Sequence, residues 1–207
     1  MERYVAFLAG MNVGGHRVTN DARRALFEQL DLDDVGTFLA SGNVVFSAPP
    51  AEPQTLAEQI AGHLGSALGY SVPAFVRTAP QVRAIAAYQP FPEDAIAASR
   101  GKLQVSLLAD APDADARRAV LALADERDRL AIRATELYWL PSGGILESPL
   151  DLRRVSAALG SMTMRTANTV RRLAAKYLPD PVPDQAPADP GAAGHALRAV
   201  PPQDPHT

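Results

Sequence analysis

The chain has 207 residues, enough for one large domain or two small ones, and an apolar content of 47% that suffices for a sizeable core. It contains no cysteine, which excludes disulfides, thiolate nucleophiles and cysteine-ligated metals. The formal net charge is only −3, and we see neither a signal peptide nor an apolar run of ~20 residues, so we expect a soluble cytoplasmic protein without a membrane partner.

Residues 1–78 predict a βαββαβ unit, the split βαβ order of ferredoxin-like folds. Strands are expected at residues 3–9, 35–40, 43–47 and 72–76. Thr19 or Asn20 predicts the start of a first helix that runs to about Leu30, and Gly69 predicts the end of a second over residues 56–68. The first helix is expected to bury an apolar stripe of Ala22, Ala25, Leu26 and Leu30.

The rest of the chain predicts a connector, a second unit and a tail. Residues 79–101 form the connector, in which Pro90 and Pro92 stop a short helix. Residues 102–178 predict a second α+β unit, with elements at 102–108, 113–124, 130–133, 136–140, 150–159 and 167–178. Residues 179–207 hold eight of the 18 prolines and predict a disordered tail. The expected fold is therefore α+β, with two ferredoxin-like units, antiparallel sheets and helices on one face.

Both faces of the first strand are apolar, which predicts that both are covered. The helices of the first unit would cover one face. The second unit, or another copy of the protein, would cover the other, so a homodimer is one alternative.

Two polar segments, Gly10–Arg17 and Ser41–Asn43, follow the first and second predicted strands. In a sheet with strand order 4-1-3-2 these strands point the same way, so both segments and the loop at 69–71 should share one edge. Glycines permit backbone conformations that turn amides towards a ligand, and a nearby helix start favours an anion. Neither the phosphate-loop pattern Gly-x-x-x-x-Gly-Lys-Ser/Thr nor the dinucleotide pattern Gly-x-Gly-x-x-Gly is present.

The same segments carry a family resemblance. VAFLAGMNVGG and FLASGNVVF resemble the YVALLRGINVGG and YIQSGNVVF stretches of an uncharacterised bacterial family, domain of unknown function 1697. The resemblance covers residues 1–178 and implies two ferredoxin-like units but no established activity. A family motif, Arg-Asn-Trp-Asn-Thr-Val, is matched at four positions here: Arg165, Asn168, Thr169 and Val170.

Other family positions differ in this chain. Ala9 stands where an arginine is usual, and residues 143–150 lack a usual basic pair. If those positions bind the family's ligand, this chain has lost part of that site, as a protein repurposed for a specialised metabolite would. Drift in a structural role is the alternative.

The leading hypothesis is a small-molecule-binding protein, with an enzyme as one version of it. Histidine is the side chain that most often transfers protons in catalysis, so His16 is the candidate proton-transfer group, with Arg17 as a planar anion-binding partner. The candidate ligand-binding residues are Asn12, Gly14, Gly15, Ser41, Asn43, Arg165 and Asn168. A purely structural turn, in which Asn43 hydrogen-bonds its own backbone, is the competing interpretation of the same residues.

Two other function classes stay open. Residues 148–178 carry a local charge of +5, and the basic final helix, with Arg171, Arg172 and Lys176, would suit nucleic acid. A structural or partner-binding module is the third class. The sequence does not identify a cofactor. No metal chemistry is expected because no two of the four histidines have the spacing of a ligand pair, and no thiol chemistry is expected because the sequence has no cysteine.

Overall fold

The computed structural model describes residues 1–12 and 15–179, which form two four-stranded antiparallel sheets with helices. The tail predicted from residue 179 lies outside these ranges except for Pro179. Among the described residues, no helix is both long and apolar enough to cross a bilayer.

The first unit has the predicted βαββαβ order. Its elements are β1 (Glu2–Leu8), α1 (Asn20–Glu28), β2 (Asp33–Phe38), β3 (Asn43–Ala48), α2 (Pro53–Leu68) and β4 (Ala74–Thr78). The sheet order is β2-β3-β1-β4, which confirms the predicted arrangement. Thr19 caps α1 by accepting a hydrogen bond from the Ala22 amide at 3.1 Å, and Gly69 ends α2 in the left-handed conformation with φ of 77°.

The segment predicted as a connector contains two helices, α3 (Ala79–Ala87) and α4 (Glu93–Ala98). The second unit repeats the order of the first. It consists of β5 (Gln104–Leu108), α5 (Ala114–Leu121), β6 (Asp128–Arg133), β7 (Glu136–Pro141), α6 (Leu152–Leu159) and β8 (Met162–Thr166), and α7 (Ala167–Tyr177) follows. Its sheet order is β6-β7-β5-β8, so the α+β fold with two ferredoxin-like units is confirmed.

Each unit covers the outer face of its own sheet with its own two helices. The inner faces of both sheets pack with α3 and α7 into one shared core, which contains Val5, Phe7, Val105 and Leu107. The expectation that both faces of β1 are covered is thus confirmed, and the covering elements belong to the same chain. Burial of these apolar faces is the main force that holds the two units together.

The two central helices cross between the units. In α7, the Tyr177 hydroxyl donates to the Thr37 carbonyl of β2 at 3.1 Å. Tyr88, at the end of α3, packs edge-on against Tyr138 of β7 with ring centroids 4.9 Å apart. Each unit therefore contributes one helix end to the sheet of the other.

The predicted apolar stripe of α1 is wrong at two positions. Ala22 and Ala25 are exposed, and the buried residues of α1 are Arg23 and Phe27. The reason is that the Arg23 guanidinium donates to the Leu39 and Ala40 carbonyls, which follow β2. The buried face of α1 therefore includes this arginine, although the apolar pattern predicted alanines there.

Candidate functional site

The ends of β1 and β2 lie at the same edge of the first sheet, because both strands run antiparallel to β3. The Leu8 amide donates to the Gly42 carbonyl at 2.8 Å. The Asn12 side chain donates to the Ala40 carbonyl at 2.8 Å, and the Tyr70 hydroxyl donates to the Met11 carbonyl at 3.1 Å. The predicted convergence of the two polar segments with the loop before β4 is therefore observed.

The Ser41-Gly42-Asn43 turn is built for close packing. Gly42 has φ of +80°, and a Cβ there would lie 3.2 Å from both the Leu8 Cβ and the Leu8 carbonyl oxygen. Asn43 is fully buried, and its amide donates to the Phe38 carbonyl at 2.8 Å and to Ser41 Oγ at 3.0 Å. Asn43 thus stabilises its own turn, as the structural interpretation predicts.

Arg165 joins the second unit to this turn. Its side chain is buried, and it lies on β8, directly before the final helix. Its Nε donates to Asn43 Oδ1 at 2.6 Å, and one terminal nitrogen donates to the Leu8 and Gly42 carbonyls at 2.9 and 3.2 Å. The other donates to Thr163 Oγ1 and the Met164 carbonyl at 2.9 and 2.7 Å. These contacts use all five N–H donors of the guanidinium.

Arg77 occupies the equivalent place on β4 and binds the equivalent elements of the second unit. It donates to the carbonyl groups of Leu108 and Thr135 at 2.7 and 3.3 Å, as Arg165 does to those of Leu8 and Gly42. Its Nε, however, lies 3.0 Å from a carboxylate oxygen of Glu136, where Arg165 meets the neutral amide of Asn43. Among the described residues, the two equivalent positions therefore hold one buried ion pair and one buried cation without a carboxylate partner.

Arg23, which was not among the residues predicted from the sequence, is the second buried cation at this edge. It donates to Asn20 Oδ1 at 2.9 Å and to the Leu39 and Ala40 carbonyls, both at 3.3 Å. Its Nε is buried and has no partner among the described residues. The one available signal was its spacing of four from Phe27, which places an arginine on the buried face of an amphipathic helix.

The two buried guanidinium groups make this edge electropositive. Among the described residues, neither forms an ion pair with a carboxylate. Burial, and to a smaller extent the neighbouring charge of Arg23, lower the pKa of Arg165 to about 10. Burial also lowers the pKa of Arg23. Arginine side chains stay charged at neutral pH. Two positive charges therefore lie behind the turn, with no carboxylate partner in the part of the chain that the structure describes.

The turn presents backbone amides on its opposite side. Across a trans peptide bond, the carbonyl of one residue and the amide of the next point in opposite directions. Because the Leu39 and Ala40 carbonyls point inward to Arg23, the amides of Ala40 and Ser41 point outward, and these residues are exposed. Neither amide donates to a described backbone or side-chain acceptor. The edge thus combines outward N–H groups with positive charge behind them, as anion-binding turns do.

The remaining predicted site residues lie further from Arg165 or outside the described residues. Gly14 falls outside the described residues, and Gly15 is exposed with φ of +89°. His16 is exposed and stacks on the Tyr70 ring, with centroids 3.9 Å apart. Arg17 and Asn168 are exposed, and neither is among the residues that contact Arg165.

The basic residues of α7 lie against the protein itself. Arg171 Nε donates to the Ala86 carbonyl at 3.3 Å. The Arg172 guanidinium lies 5.7 Å from the centre of the Phe38 ring, and Lys176 Nζ lies 4.9 Å from that of Tyr177. Part of this basic surface therefore stabilises the packing of α7 on the first sheet.

Comparison with known proteins identifies the family and supports the fold. A solved structure titled "The structure of conserved bacterial protein SP0830 from Streptococcus pneumoniae" aligns with a TM-score of 0.62 and 16% sequence identity, over 85% of this chain and 98% of that one. No curated protein matches. The family model described as "Protein of unknown function (DUF1697)" matches residues 1–138, two thirds of the chain. The chain therefore belongs to this family of proteins of unknown function.

Proposed function

We propose that this is a cytoplasmic protein that binds a small anionic molecule, bearing a phosphate or carboxylate group, at the Gly10–Arg17 loop and the Ser41–Asn43 turn. The observation that carries the proposal is the pair of buried guanidinium groups, Arg23 and Arg165, that lack a carboxylate partner among the described residues. Buried charges in proteins are ordinarily paired. An anion on the outer side of the turn would supply the missing charge.

In this proposal, the buried and exposed groups have separate tasks. Arg165 has no spare donor, so it acts on the anion through its field rather than by direct contact. The outward amides of Ala40 and Ser41 are the direct ligands, and the Ser41 hydroxyl adds a donor because its oxygen accepts from Asn43. Arg17 is an exposed cation that would add positive charge beside the ligand.

Isothermal titration calorimetry with sodium phosphate at constant ionic strength tests this proposal by measuring the affinity for phosphate. We expect saturable binding that Asn43→Asp weakens at least about tenfold, because the new carboxylate would neutralise Arg165, whose Nε lies 2.6 Å from this side chain. Gln29→Glu is the matched control. It adds the same charge at the exposed C-terminal end of α1, about 13 Å along the helix axis from its first residue, Asn20. The affinity for phosphate should be unchanged.

Three results would contradict the proposal. These are no phosphate binding by the wild-type protein, equal affinities for the two variants, and a folded Asn43→Asp protein with unchanged affinity. Circular dichroism shows whether each variant is folded. Binding of a single-stranded oligonucleotide that is lost on charge reversal of Arg171 and Arg172, without phosphate binding, would favour the nucleic-acid hypothesis instead.

In the enzymatic version of the proposal, His16 transfers a proton and Arg17 holds the anionic group of a specialised metabolite. The stacked Tyr70 ring would fix the imidazole at the edge of the site. With a substrate identified, His16→Ala should abolish turnover yet leave anion affinity within about threefold, because the amides of Ala40 and Ser41 remain. Unchanged turnover would remove His16 from the chemistry.

A further inference from the structure

A polar cavity lies in the second unit, at the open end of the β6–β7 hairpin. It has a volume of about 240 Å³, and its lining includes Asp128, Ser142, Glu147 and Ser148. Asp128 is 1% exposed, at the first position of β6. A buried carboxylate thus borders a cavity large enough for a small organic molecule.

The partners of this carboxylate are neutral. Trp139 Nε1 donates to Asp128 Oδ1 at 2.6 Å, and Ser148 Oγ lies 2.8 and 2.9 Å from the two carboxylate oxygens. A carboxylate can accept about four hydrogen bonds, and the single Ser148 proton and the indole N–H supply two. Among the described residues, no cationic side chain forms an ion pair with Asp128.

Neither of the two nearby described arginines pairs with the Asp128 carboxylate. Arg100 is held by Glu147, with 2.7 Å between the guanidinium and the carboxylate oxygen. Arg127 lines the cavity but is exposed, and it makes no ion pair with Asp128. Because a buried charge is costly without a charged partner, the cavity favours a cation that donates hydrogen bonds.

The ligand set suits an organic ammonium ion better than a divalent metal. Divalent cations such as Ca²⁺ take six or more oxygen ligands, with several carboxylates among them. The described residues contain no group of three His, Asp or Glu side chains placed to hold a metal ion. A primary ammonium group carries one charge and three donors, which matches one carboxylate with free acceptor positions.

We propose that this cavity binds a small primary amine in its ammonium form. The ammonium group would donate hydrogen bonds to the Asp128 carboxylate, and the carbon chain of the amine would lie in the cavity between Pro141 and Pro149. The site is separate from the anion site of the first unit and does not depend on it. Its indole neighbour provides a direct reporter, because Trp139 is the one tryptophan in the sequence.

Intrinsic fluorescence tests the amine site in the full chain. Propylammonium chloride should change the Trp139 emission in a saturable way, whereas sodium chloride at the same ionic strength and propan-1-ol at the same concentration should not. Asp128→Asn keeps an oxygen acceptor for the indole but removes the negative charge. Its affinity for propylammonium should therefore be at least about tenfold lower than that of the wild-type protein. Glu93→Gln removes an exposed carboxylate on α4 that does not line the cavity, and it should keep the wild-type response.

A further variant covers the case in which Asp128→Asn fails to fold. Ser148→Ala keeps the carboxylate and frees one of its acceptor positions, so it should bind propylammonium at least as tightly as the wild-type protein. The proposal is overturned by an absent or non-saturable response in the wild-type protein, by an equal response in a folded Asp128→Asn protein, or by weaker binding in Ser148→Ala.

Discussion

Replacing Arg165 by Met should destabilise the protein less than replacing Arg77 by Met, although the two arginines occupy equivalent positions. Arg77→Met would leave the Glu136 carboxylate buried, with the Thr135 hydroxyl at 2.8 Å as its remaining side-chain donor. Arg165→Met would leave only neutral acceptors, among them Asn43 Oδ1 and the Leu8 carbonyl. The difference between the two variants therefore measures the charge asymmetry of the two units.

The structure gives the size of this difference. Removing one partner of a buried ion pair costs about 3–5 kcal/mol. Loss of the five hydrogen bonds of Arg165, at about 1 kcal/mol each, costs about 5 kcal/mol. The pKa of Arg165, lowered to about 10 by burial and by the charge of Arg23, indicates that these surroundings disfavour the charged form by about 3 kcal/mol, which the substitution recovers. The net cost of Arg165→Met is thus about 2 kcal/mol, which is 1–3 kcal/mol less than that of Arg77→Met.

Urea unfolding at pH 7, followed by circular dichroism, measures both free energies of unfolding. Equal slopes against urea would show that the variants share a denatured state and that the midpoints can be compared. A cost for Arg165→Met that equals or exceeds that of Arg77→Met would refute the reasoning. It would mean that Arg165 is already compensated within the chain, and the main support for an anion at this edge would be lost.

Further predictions concern pH and packing. Burial raises the pKa of Tyr138, so above about pH 10 the unfolded state releases the phenolic proton while the folded state keeps it. The free energy of unfolding of the wild-type protein should therefore fall as the pH rises. Tyr138→Phe should show a smaller fall between about pH 9 and 11 in urea titrations. Gly101→Ala should cost about 1–3 kcal/mol in the same assay, because its Cβ would overlap the Pro141 ring. Gly62→Ala on α2, where a Cβ meets open space, should instead stabilise by about 0.5–1 kcal/mol. Gly42→Ala should cost at least about 1 kcal/mol, because φ is +80° and the new Cβ would press on Leu8.

Elements with local signals were predictable from the sequence. Thr19 and Gly69 mark helix ends through their own side chain or backbone, and the structure confirms both. Strand β8 was not predicted, because its alternation is inverted. Its buried positions are the polar Thr163 and Arg165, whereas the two methionines on its other face are half-buried. Hydrophobic periodicity cannot reveal a strand whose buried face is polar.

The candidate site was predictable in position but not in mechanism. The direction of β1 and β2 was enough to bring Asn12 and Asn43 to one edge. The contact between Arg165 and Asn43 spans 122 residues, and the ion pair between Arg77 and Glu136 spans 59. Such contacts arise from tertiary packing, and only the structure shows that one arginine has a carboxylate and the other does not.

The central claim is that an anion binds to the outward amides of the turn, and amide chemical shifts test it most directly. Phosphate should be titrated into isotopically labelled protein at constant ionic strength, with the backbone N–H signals followed by NMR. The account predicts saturable downfield shifts at Ala40 and Ser41, as expected for N–H groups that donate to an anion. Unchanged signals at these residues, or saturable shifts confined to α7, would contradict it.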